Sequence, residues 1–290
     1  MAERSAGIPL GPDSLTWRYF GDWRNLLMAL WVGSMQNMHP VLGLAVAEHS
    51  RFFEDRWKRI FRSFYPILGV VYDGDRAHET AVKVRGYHHA IQGNDQSGRT
   101  YHAMSPDVFY WAHAVFFMAM IKFGDRFMGG VSEAARLRMF AEHVQWYQLY
   151  GLTMRAVPSS WEEFQEYWDR MCAEVLEDNQ TTRDVLDLQG LPRPQFLVCV
   201  PSLLWRPLWR VCAPGIIWLA TGFYDPVVRE RLGMRWSPFD ERLHKALGRV
   251  VHTVFSILPH DRRFHPRARA GWRRSRGADV PPVESPIRHH

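Results

Sequence analysis

Cysteine is scarce: the chain of 290 residues has three, Cys172, Cys199 and Cys212. Three thiols cannot build a disulfide framework, and none of their spacings fits a zinc cluster. A structural zinc and an extracellular disulfide scaffold are therefore excluded, and a reducing, cytoplasmic setting is expected. Long apolar runs are also missing. No window of ~18 residues is both apolar and free of charge, which argues against a plain transmembrane helix. The nearest approach, Gln195 to Tyr224, is interrupted by Pro201, Arg206, Pro207, Arg210 and Pro214. The first dozen residues lack the basic region, apolar run and cleavage site of a secretory signal. The chain has no G-x-S-x-G elbow, no Walker loop, no G-x-G-x-x-G after a strand and no H-E-x-x-H. Those absences disfavour the commonest hydrolases, kinases and dehydrogenases.

Aromatic residues, by contrast, are abundant, with 13 Trp and 17 Phe. They favour a wide apolar cavity, a membrane-facing surface, or both. Charge is unevenly placed. From Leu191 onward there are 17 Lys and Arg against 7 Asp and Glu, a net of +10, while residues 1–190 carry 19 against 23, a net of −4. A basic final third points to an anionic partner or to an ordinary solvated face. Its cations are interleaved with Trp205, Trp209, Trp218, Trp236 and Trp272. That mixture fits an anionic membrane surface better than nucleic acid, which is not expected as a partner.

Helical patterns follow one another along the chain. Asp22 to Met38, Val41 to His49, Asp55 to Val71 and Arg76 to Gln92 read as helices, with Gly93 to Gly98 as a loop. Ser105-Pro106-Asp107 opens a helix to about Phe123 with an N-cap, a proline at the first helical position and an acid in the first turn. Ser132-Glu133, Ser159-Ser160-Trp161-Glu162-Glu163 and Ser237-Pro238-Phe239-Asp240 open three more, and Pro266 starts a short basic one. Strand alternation is scarce. The expected fold is all-α, with an N-terminal arm (1–21), a helical body (22–190), a basic Trp-rich helical extension packed on it (191–276) and a disordered tail (277–290).

Three of the 14 histidines lie in apolar helical surroundings: His39, His88 and His113. An imidazole there must find a hydrogen-bond partner or a metal. Taken singly, each is more ordinarily a core histidine bonded to a carbonyl or carboxylate. His39 before Pro40 also suits a helix cap. As a set they admit a haem site, which needs one neutral imidazole on iron, an apolar pocket and cations for the propionates. Arg85 and His88, three apart, share a helix face, and Trp111, Phe116 and Phe117 are candidates to line the pocket. Arg59, Arg62 and Ser63 on the preceding helix are candidates for propionate or oxygen contacts, although Arg56, Arg59 and Arg62 also suit a solvated basic face. Spacing alone does not separate haem from a two-histidine, one-carboxylate iron site using Glu48 or Glu142. Glu142 also suits a structural role as partner to a buried arginine.

Several segments, in order, resemble the MpaB/latex-clearing protein (rubber oxygenase) catalytic family. They include Met38-His39-Pro40-Val41, Val46-Ala47-Glu48-His49-Ser50, Arg59-Ile60-Phe61-Arg62-Ser63, Val84-Arg85-Gly86-Tyr87-His88 and Trp111-Ala112-His113-Ala114. The similarity covers about Asp22 to Leu176, and Gly233 to Pro238 and His265 to Ala270 resemble the family's C-terminus. The resemblance implies a globin-like helical core that binds haem b and uses dioxygen to cleave double bonds of hydrophobic isoprenoid chains. It implies His88 as the proximal iron ligand and Glu48 as a base. Arg59-Ile60-Phe61-Arg62-Ser63 stands where the family has a distal Arg-x-x-Lys-Thr. Arg62 replaces the lysine and Ser63 the threonine. An amine can coordinate iron, but a guanidinium stays protonated and cannot, so the distal position is expected to be open, water-filled or held by another residue. A haem carrier or sensor without turnover and a non-haem iron enzyme are the alternatives. The basic third would hold the protein peripherally on the inner membrane leaflet.

Overall fold

The computed structural model describes residues 7–49, 56–94, 100–189, 191–194, 201–281 and 283. Among them the order is α1 (Leu15–Phe20), α2 (Ala29–Asn37), α3 (Pro40–His49), α4 (Arg56–Tyr72), α5 (Ala77–Gly86), and a hairpin of β1 (Gln92–Asn94) and β2 (Thr100–His102). Then come α6 (Pro106–Phe127), α7 (Glu133–Gln148), α8 (Trp161–Arg170), α9 (Gln180–Leu186), α10 (Ser202–Thr221), α11 (Pro226–Arg231), α12 (Pro238–Ser256), α13 (His260–Arg263) and α14 (Pro266–Arg274). The fold is all-α, and the hairpin is its only named sheet among the described residues.

Local chemistry explains most of the helix starts. Ser237 and Asp240 form a reciprocal capping box at α12, and Ser132 and Ser160 accept from Ala135 N and Glu163 N at α7 and α8. Each satisfies backbone N–H groups that the first helical turn leaves unpaired. Two segments depart from the sequence reading. The stretch expected to be one helix from Asp22 begins as a 3₁₀ turn, Trp23–Met28, because the Asp22 side chain accepts from Arg24 N and holds a tight start. The helix expected over Arg76 to Gln92 ends at Gly86. A turn follows, then β1, whose Gln92, Gly93 and Asn94 pair with His102, Tyr101 and Thr100.

Helix α6 is apolar on nearly every side and runs through the centre of the molecule, as expected for a fully enclosed helix. Residues from α10, α11 and α14, including Ala220, Val228 and Ala268, belong to the same hydrophobic cluster as α6. Lys122–Asp225 (2.9 Å) and Arg126–Glu241 (3.1 Å) tie α6 to the later elements. Arg267 of α14 reaches Asp73, beyond the end of α4, through Nε at 3.0 Å and Nη2 at 2.5 Å, and donates Nη1 to Tyr65 O at 2.8 Å.

Glu142, one candidate for a metal carboxylate, is used as a cap. Its two oxygens accept from Leu15 N (2.9 Å), Thr16 N (2.7 Å) and Thr16 Oγ1 (2.9 Å), satisfying the first turn of α1. Arg138 Nε donates to it at 3.1 Å. Glu142→Ala is expected to cost about 3 kcal/mol, because it strands buried donors that lose a charged acceptor. Urea unfolding measures the loss, and Glu142→Gln, which keeps one acceptor oxygen, should fall between the two.

Candidate functional site

Helices α4 and α5 form a hairpin around Gly74, whose φ of +61° suits a residue without a Cβ. The turn after α5 carries His88. A carbonyl can only accept, so the 2.9 Å contact between His88 Nδ1 and Val84 O is an Nδ1–H donor bond. Burial, the main cause, holds the imidazole pKa below its ordinary value. His88 is thus a neutral tautomer whose Nε2 carries the free lone pair, the arrangement in which a histidine binds a metal. Its ring meets Phe109 edge-on at 5.5 Å.

Arg85, one turn before His88, donates Nη1 to Tyr150 O at 2.8 Å, and its buried Nε has no protein partner. A buried charged N–H without an acceptor is costly, so the position favours an added anionic oxygen. A free imidazole nitrogen and, three residues earlier, an orphaned guanidinium N–H are the groups that haem would engage, since it takes an axial ligand and carries carboxylates. Among the described residues no three His, Cys, Asp or Glu side chains converge as a metal-ligand set. A porphyrin iron does not require one.

His113 occupies a different environment. It is fully buried, its Nε2–H donates to His143 O at 3.2 Å, and its Nδ1 has no partner. Burial lowers its pKa to about 3. The His143, Trp146, Tyr147 and Tyr150 rings surround it with centroids 4.5 to 5.7 Å away. His39 accepts from Val41 N through Nδ1 at 3.2 Å and so caps α3; burial lowers its pKa to about 4.

Glu48 accepts a short hydrogen bond from the Tyr101 hydroxyl of β2. Burial first, and then this carboxylate, push the Tyr101 pKa up to about 12. Gly93 makes the approach possible, since a Cβ there would lie 2.7 Å from Glu48 Oε2 and 2.8 Å from the Tyr101 hydroxyl. The hairpin that follows the His88 turn is therefore anchored to α3. Sequence reading chose Glu48 but missed Tyr101. Its only signal was its place in Gly98-Arg99-Thr100-Tyr101, a further segment resembling the family, which gave the tyrosine no role.

An apolar cavity of about 430 Å³ lies between α2, α4, α6 and α10. Ser63, Phe64, Phe116, Gln36 and Trp209 are among its lining residues. The volume suits a small ligand or cofactor. Of the three aromatics expected at a pocket, Phe116 lines it, whereas Trp111 stacks on Trp168 and Phe117 on His143. Phe109 and Phe116 are seven residues apart and share one face of α6, about 10 Å along its axis. The His88 imidazole and the cavity thus sit along one side of the central helix. Arg59 and Arg62 lie on α4, with side chains outside the described residues; Ser63 is exposed at the cavity.

The body is all-helical, with a neutral, lone-pair-bearing imidazole at His88, an unpaired cationic N–H at Arg85 and an apolar cavity. The chain belongs to the family described as "ER-bound oxygenase mpaB/B'/Rubber oxygenase, catalytic domain", whose profile matches residues 17–253. It is thus a member of an oxygenase family, and the match runs through α10 and most of α12. No curated protein and no solved structure matches it. Among the described residues no helix is long and apolar enough to cross a membrane.

Proposed function

We propose that the protein is a haem b-dependent oxygenase acting on an unsaturated isoprenoid or other apolar lipid. The observation that carries the proposal is the His88 tautomer, with Nδ1–H committed to Val84 O and Nε2 left free, three residues after Arg85, whose Nε is unpaired. When bound, the haem iron would supply dioxygen activation. His88 would hold it, and Arg85 Nε–H would donate to a propionate oxygen. Ser63 presents a hydroxyl at the cavity, while Phe64 and Phe116 exclude water and seat an apolar chain. Glu48, which accepts a hydrogen bond from the Tyr101 hydroxyl, would be the group to take a proton. Arg59 and Arg62 would contribute cationic N–H groups but no iron ligand, because a guanidinium has no lone pair to give. An anionic membrane surface is the partner that would deliver such a substrate.

The deciding measurement is the absorption spectrum of protein purified from haem-supplied cells. A Soret band is expected, with dioxygen uptake when isoprenoids are added. Iron without porphyrin would overturn the haem assignment. A Soret band without uptake on any isoprenoid would instead favour a carrier or sensor.

A further inference from the structure

Trp205, Trp209, Trp218 and Trp236 each donate their ring N–H to a protein oxygen: Leu191 O, Leu188 O, Asp240 Oδ1 and Glu241 Oε2. Their polar ends are therefore committed inside the protein. Apolar side chains are exposed on α10, at Leu203, Leu204, Leu208 and Val211, and along α12, where cations border them. Ile257 is 80% exposed, Phe239 64% and Val250 58%, and Leu243 and Val254 are exposed with them. Steps of four, seven, four and three residues place all five on one side of the helix.

That side does not face the core. His244 and Gly248 do: the His244 Nε2 bonds Leu219 O at 3.1 Å, and a Cβ at Gly248 would lie 2.3 Å from Arg126 O. Arg242, Lys245 and Arg249, at steps of three and four, border the apolar strip on its other flank. The acids of α12 are confined to its first turn and already engaged, Asp240 in the capping box and Glu241 with Arg126 and Lys245. No acid follows until Asp261, after which come Arg262 and Arg263. Arg263 holds the end of α12 by donating to Leu258 O and Ser256 O, both at 2.7 Å.

An exposed apolar strip with a purely cationic border is what a helix lying in the headgroup region of an anionic bilayer requires. A second copy docking through the same strip would bring like charge to the seam, whereas acidic lipid supplies the opposite sign. We propose that α12 docks this protein on an anionic lipid surface. Phe239, Leu243, Val250, Val254 and Ile257 enter the acyl boundary, and Arg242, Lys245 and Arg249 sit at the headgroups. The inference rests on the membrane partner named above and identifies the element that makes the contact.

The test is sedimentation of the full chain with phosphatidylcholine vesicles, with and without phosphatidylglycerol. The unaltered protein should pellet with the anionic vesicles, and less so as salt rises. V250D/V254D should lose about tenfold or more in vesicle affinity, since burying one valine is worth roughly tenfold. R242E/R249E should lose the preference for phosphatidylglycerol. Melting curves, together with the milder V250S/V254S pair, separate lost docking from lost folding. If the unaltered protein pellets and V250D/V254D pellets equally, α12 is not the docking element, although the membrane partner stands. If the unaltered protein stays in the supernatant, both fall. A dimer in light scattering that V250D/V254D converts to monomer makes the occupant a second copy and overturns the inference. None of these readouts requires bound haem.

Discussion

His88→Ala is expected to yield folded protein holding less than about a tenth of the haem bound by the unaltered chain, because under the proposed function it removes the imidazole that would hold the iron. The effect should be specific to this imidazole. The Nδ1–H bond to Val84 O fixes the ring and directs the lone pair to Nε2. Burial keeps the ring neutral, so no proton competes with iron near neutral pH. His88→Gly should leave a hole that free imidazole fills, restoring the Soret band without restoring the tether. His113→Ala should behave in the opposite way. It opens a gap among His143, Trp146, Tyr147 and Tyr150 and lowers stability while haem is retained. If His113→Ala abolishes the band and His88→Ala keeps it, the ligand is misassigned.

Arg267→Ala is expected to lower stability by about 3–5 kcal/mol, the usual effect of stranding one partner of a buried ion pair. For a chain of this length that corresponds to a fall of roughly 10 °C in Tm. The Asp73 side chain is almost fully buried and accepts from Arg267 through both oxygens. Once Arg267 is gone, Thr80 Oγ1 at 2.8 Å and Arg274 at 3.8 Å are what remain. Arg267→Lys should recover little, since a single ammonium cannot reproduce the planar two-point contact and also reach Tyr65 O. Asp73 lies at the turn between α4, which carries Ser63, and α5, which carries Arg85 and leads into the His88 turn, so loosening α14 should weaken the proposed haem retention as well. Thermal unfolding and haem content of the same samples test both halves. A loss under about 1 kcal/mol would mean that the pair behaves like an exposed one and that α14 does not brace the site.

Helix starts were readable because capping is local: a serine and the residue three ahead suffice at Ser237 and Asp240. The break after Gly86 was not readable. Its cause is the pairing of Gln92 to Asn94 with Thr100 to His102, and periodicity gives no sign of a partner strand. His88 was found through its spacing from Arg85 and the family resemblance, but its tautomer depends on where the α5 turn places Val84 O. Glu142 was legible as a metal carboxylate or a structural acid. That it caps α1, 126 residues away in sequence, required the folded chain. Trp205, Trp209 and Trp218 were read as either core or membrane anchors, and the hydrogen bonds to Leu191, Leu188 and Asp240 turn their polar ends inward.

Composition, helical periodicity, capping residues and the ordered family segments were enough to establish a helical oxygenase-family chain with its candidate imidazole at His88. Those features act over a few residues, or are summed over the whole chain, and survive without coordinates. Tertiary packing alone decided which nitrogen of His88 and of His113 carries the free lone pair, which acid serves as a cap and which side of α12 meets solvent. Each of those outcomes depends on a partner far away in sequence, and burial and hydrogen bonding act only once that partner has arrived.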